Sequence, residues 1–130
     1  MAEPKQALIA FCNNNTEIFA TFGTRITADK IPDGQAYPHA RVIVVSDPRT
    51  YLLSKGRSGR KIRLQLDVYA ETVAGADTSV AVLETVLEGY KGMLGPLDAG
   101  YVFVKNIPGD WNETARNEHR ILELEIGTND

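Results

Sequence analysis

The stretch at residues 61–70, KIRLQLDVYA, alternates strictly between apolar and polar side chains. Its apolar members are Ile62, Leu64, Leu66, Val68 and Ala70. Successive side chains on a strand point to opposite faces of a sheet, so this alternation predicts a long strand with one apolar and one polar face. The apolar face must cover a core. The polar face contacts water, a ligand or another protein, and the function of the chain depends on which of these three it contacts.

Three helices are predicted around this strand. The first begins at Pro4, and a second short helix ends at Phe22, after a cap from Asn14, Asn15 or Thr16 and before Gly23. The third covers residues 73–90, where apolar residues recur at spacings of three and four and Thr72 is placed as the N-cap.

Further strands are predicted at 25–27, 41–46, 101–106 and 119–126. Loops are predicted at 30–38 and 107–117, a hairpin tip at 55–59, and a connector without strands at 93–100. The fold class is therefore α+β, with a mostly antiparallel sheet and helices packed on one face. Residues 1–130 are expected to form a single domain, whose sheet keeps one face without helices.

Composition excludes several classes of protein. The 130 residues contain no apolar run near the roughly 20 residues that cross a bilayer, and the N-terminus does not read as a signal peptide. Cys12 is the only cysteine, so an intrachain disulfide is impossible and a reducing cytoplasm suits the chain. The formal net charge of −3 argues against a protein that coats nucleic acid.

A basic segment at residues 55–61, KGRSGRK, carries Lys55, Arg57 and Arg60. The spacing of its glycines does not match a phosphate-binding loop, and a strand rather than a helix follows it. We interpret it as a solvated turn or a protein-contact loop. The alternative is a nucleic-acid-binding α/β module that uses this basic hairpin, with Tyr51, Tyr69 or Tyr101 as stacking platforms.

No catalytic residue, cofactor site or metal site is predicted. His39 and His119 lack metal-ligand spacing, and His39 is expected at the surface. Cys12 is expected to be a buried apolar residue. Glu123 and Glu125 share one strand face about 7 Å apart, which we attribute to a solvated or interface surface.

Trp111, the only tryptophan, lies in the polar segment PGDWNET. A tryptophan there is either folded onto the core or used as an interface anchor, and the sequence favours neither.

Residues 5–126 resemble the tail-completion or tail-terminator family of long-tailed bacteriophages. The resemblance is carried by the strand Leu64–Ala70 followed closely by a helix, and by Gly23, Arg25, Ile26, Pro32 and Pro38. The chain departs from the family at Tyr69, where tryptophan is frequent, and at Asn117 and Glu118, where an aromatic residue is frequent.

The resemblance implies a non-enzymatic virion protein of the tail and neck region, assembled in the host cytoplasm. It implies a six-fold ring that caps the tail tube, ends tail growth and joins the head. The implied partners are copies of the chain itself, the tail tube protein and a head–tail connector, with DNA passing through unread and no membrane. The candidate interface residues are Lys55, Arg57, Arg60, Arg63, Asp67, Tyr69 and Trp111.

Overall fold

The computed structural model describes residues 4–32, 34–46, 61–107, 109, 111–114 and 116–128. The predicted hairpin tip at 55–59, with Lys55, Arg57 and Arg60, lies outside these residues, as does Tyr51.

Three helices form where the sequence predicts them: α1 (Pro4–Asn14), α2 (Thr16–Phe22) and α3 (Val73–Leu87). Asn15 caps α2, because its side chain accepts a hydrogen bond from the Ile18 N–H at 3.0 Å. Thr72 caps α3 in the same way, accepting from the Gly75 N–H at 2.9 Å. The prediction that this helix reaches residue 90 is wrong, because Glu88 turns extended and Gly89 takes a φ of 75°.

The strands are β1 (Ile26–Ala28), β2 (His39–Ser46), β3 (Lys61–Ala70), β4 (Gly92–Leu94), β5 (Leu97–Ile107), β6 (Trp111–Asn112) and β7 (Asn117–Thr128). They form one sheet in the order β1-β2-β3-β7-β5-β4, with β6 paired to β7. The pair β1–β2 is parallel, and the other described pairs are antiparallel, which confirms the predicted fold class.

The segment 93–100 is not the predicted connector without strands. It holds β4 and the start of β5, which pair across a tight turn at Gly95. Gly95 has a φ of 55°, and a Cβ added there would lie 3.0 Å from the Ala7 carbonyl oxygen of α1. The turn therefore packs against a helix and requires glycine, a demand that the local sequence does not reveal.

The inner face of the sheet is covered by the helices and forms the core. Every apolar member of the alternating stretch in β3 is at most 2% exposed, which confirms its predicted register. The core also includes Leu83 and Leu87 of α3, and Leu122 and Leu124 of β7. Cys12 is fully buried as predicted, and burial raises the pKa of its thiol to about 12.

Candidate interaction surface

The polar side of β3 belongs to the outer face of the sheet, the face opposite the helices. Register places Arg41 of β2 beside Asp67, and Glu123 of β7 between Gln65 and Lys105 of β5. Since β3 and β7 lie in the middle of the sheet, the outer face is a continuous surface built from β2, β3, β7 and β5.

Asp67 is the centre of a polar cluster on this face. Its carboxylate accepts hydrogen bonds from Arg41 Nε at 2.7 Å and Gln65 Nε2 at 2.8 Å, and lies 3.3 Å from His119 Nε2. Only 1% of Asp67 is exposed. Burial by itself raises the pKa of this carboxyl, but the bonds from Gln65, Arg41 and His119 outweigh burial and hold the pKa below its ordinary value.

Four rings form a row next to this cluster, across three strands and the preceding loop. Tyr37 stacks on His39 with 4.9 Å between ring centroids, and His39 lies 5.4 Å from Tyr69. Tyr69 in turn stacks on His119 at 4.6 Å, with the planes 5° apart. Because β3 lies between β2 and β7, both sides of the Tyr69 ring have a neighbour, so this ring is not a free stacking platform for a base.

The other end of the outer face is more open and more apolar. Tyr101 donates a hydrogen bond to Glu125 at 3.0 Å, and Arg63 lies 3.5 Å from the same carboxylate. Phe103 lies 4.7 Å from Tyr101 between ring centroids and is 56% exposed. Phe103 and the partly exposed Tyr101 therefore form an apolar pair at this end of the outer face, beside the exposed cation Arg63.

Trp111 lies in β6, opposite Glu118 of β7, and is 37% exposed. It is therefore not a fully buried plug on the core. Glu118 itself is buried and accepts from Arg120 at 2.8 Å, and Arg120 also donates to Asp77 of α3 at 2.7 Å.

The structure brings three of the predicted interface residues, Arg63, Asp67 and Tyr69, onto one face, with Trp111 at a separate edge strand. The expectation that His39 lies at the surface is wrong: it is 7% exposed, between Tyr37 and Tyr69. Burial, as the largest cause, lowers the pKa of His39. Sequence reasoning also missed Arg41, whose only signal was its place on a predicted strand.

Within the described residues, no group of His, Cys, Asp or Glu side chains is arranged to hold a metal ion. None of the helices in the same residues has the length and apolar character needed to cross a membrane.

The fold and the open sheet face define a small α+β protein with a surface suited to protein contacts. The family model for tail completion protein gp17 matches residues 6–107. The chain belongs to this family of structural proteins of the virion tail.

The search of curated proteins found no match. Among solved structures, a chain of the "Virion of native gene transfer agent (GTA) particle" is similar in fold, with a TM-score of 0.67 and 16% sequence identity. The alignment covers 97% of this chain and 94% of that one.

Proposed function

We propose that the protein caps the phage tail tube as a homohexameric ring, ends tail growth and provides the surface that joins the head. The observation that carries this proposal is the match of the tail completion family over residues 6–107. The uncovered outer face, with Phe103 exposed beside Arg63 and Lys105, supports a role in contacts between proteins rather than in chemistry. The protein acts without enzymatic activity.

The physical argument rests on the way a tail tube grows. Stacked rings present the same unsatisfied surface at the growing end, and such a heterologous contact propagates until something different binds. A terminator must match the tube on one side and fail to match another tube ring on the other. A ring repeats each weak contact around its axis, so the contacts act together.

The proposed partners are other copies of the chain, the tail tube protein and the head–tail connector, while DNA passes through the ring unread. Lys55, Arg57 and Arg60 are proposed to contact partner proteins or lie near the channel. Trp111, being exposed, is proposed as an anchor at such a contact.

Deleting the gene from the phage tests this function. The deletion is expected to give filled heads and separate tails that do not join, and tails of heterogeneous or excessive length by electron microscopy. Supplying the wild-type chain from a plasmid is the matched control and should restore joined particles. Joined particles of normal tail length without the protein, or a block in DNA packaging inside the head, would refute the proposal.

A further inference from the structure

The accessible charge on the outer face is cationic. Lys61, Arg63 and Lys105 are exposed there. The carboxylates of the same face are less exposed to solvent: Asp67 is buried, while Glu123 and Glu125 are only partly exposed. The outer face therefore combines an exposed apolar side chain, Phe103 of β5, with cations that a partner can reach.

The opposite side of the molecule carries the complementary surface on α3. Its solvent-facing row consists of small side chains one turn apart, Ala74, Thr78, Ala81 and Thr85, all exposed. Carboxylates follow one flank of this row: Asp77 and Glu88 are exposed, and Glu84 is partly exposed. Asp77 is paired with Arg120, whereas the groups that donate to Glu84 and Glu88, the Asn106 amide and the Val104 N–H, are uncharged. The sequence of α3 contains no lysine or arginine.

This composition is unusual for a helix surface that faces only water, which ordinarily carries long charged side chains of both signs. Small side chains let another layer of structure approach the helix closely. The carboxylates beside the row can then form electrostatic contacts with cations of that layer. Val73, at the start of the same helix, is a large apolar residue that is 51% exposed.

We propose that the outer sheet face of one copy binds the exposed face of α3 of the next copy. The contact supplies the helical layer that the outer face lacks within one chain, and it matches exposed cations to carboxylates. Like faces would repel, so the contact joins two different surfaces, and a heterologous contact of this kind closes into a ring when the rotation between neighbouring copies closes. The inference rests on the proposed ring and names the surfaces that build it.

Two charged variants each test one of the two surfaces that form the contact. Phe103→Glu places a carboxylate on the outer face, and Ala81→Arg places a bulky cation in the small-residue row of α3. Phe103→Leu and Ala81→Ser are the matched controls, since they keep an apolar and a small side chain respectively. Circular dichroism and thermal melting establish that each variant is folded, and native mass spectrometry measures its oligomeric state.

The wild type and both controls are expected to form the ring, on their own or after incubation with tails from the deletion phage. Each charged variant alone is expected to be monomeric. An equimolar mixture should give a heterodimer and stop there, because intact α3 of the Phe103→Glu chain meets the intact outer face of the Ala81→Arg chain and the remaining surfaces are both damaged.

Rings formed by either charged variant alone would overturn the inference, as would a mixture that stays monomeric or a wild type that never associates with itself. These results leave the proposed function to its own test. If the wild-type gene restores joined particles while the charged variants still form rings, the terminator function stands and only the assigned surfaces are wrong.

Discussion

The two faces of β3 are stabilised by different forces. On the inner face, apolar side chains such as Leu64 and Leu66 are fully buried under the helices. On the outer face, Asp67 is nearly as buried, but it is held by hydrogen bonds and an ion pair from Gln65, Arg41 and His119. Apolar burial has no preferred partner or pH, whereas the polar cluster depends on particular donors and their protonation. The inner face therefore supplies stability, and the outer face supplies a fixed polar surface.

The largest effect is expected in the core. Leu66→Ala should lower the free energy of unfolding by about 2–5 kcal/mol, because it removes buried methyl groups and leaves a cavity. Gln65→Ala, one residue away on the outer face, should cost less than Leu66→Ala, because it removes one hydrogen bond to a charged group, which contributes about 1.5–3 kcal/mol, and leaves no cavity in the core. Urea denaturation measures both. Equal losses for the two variants would contradict the assigned register and the contrast between the faces.

A smaller loss is expected at the centre of the polar cluster. Asp67→Asn removes the charge that Arg41 contacts at 2.7 Å and points an amide group at donors, so it should cost about 1–3 kcal/mol. Urea denaturation of Arg41→Ala, Asp67→Asn and the double variant forms a thermodynamic cycle. If the two losses simply add, the ion pair does not stabilise the outer face.

The smallest expected effect is the pH dependence of the free energy of unfolding. It should come from the polar groups of the outer face and not from the apolar inner face. The pKa of His39 is below its ordinary 6.5, so on acidification the unfolded chain takes up this proton first, and stability falls as the pH drops below 6.5. The pKa of Asp67 is below 3.8, so its contribution is lost as the pH falls from 3.8 towards the folded value.

Denaturation at several pH values checks this prediction. His39→Gln should remove the fall in stability just below pH 6.5, and Asp67→Asn should remove the fall below pH 3.8. Leu66→Ala should retain the pH profile of the wild type, because nothing ionises where it acts. A wild type that gains stability between pH 6.5 and pH 5, with His39→Gln removing the gain, would show that the sign assigned to His39 is wrong.

Much of the architecture could be predicted from local sequence patterns. The alternation of β3, the cap at Thr72 and the spacing of apolar residues in α3 all act within a few residues, and each was predicted correctly. The cap of α2 was predicted as Asn14, Asn15 or Thr16, and the structure selects Asn15. The composition of the outer face could be predicted only in part. Arg63, Asp67 and Tyr69 were placed on it by alternation, but their partners Arg41 and His119 come from other strands, 26 and 52 residues from Asp67.

The sequence alone determined the three helices, the long strands and the apolar side of β3, because these properties follow from backbone geometry and side-chain periodicity. It missed β4, the start of β5, and β6, which lies in the predicted loop 107–117. Only the tertiary structure decided the order of the strands, which places β7 between β3 and β5. That order buries His39 and Asp67, and it brings Gly95 against α1. The reason is physical: burial and hydrogen bonding depend on which distant segments become neighbours, and no short stretch of sequence records that choice.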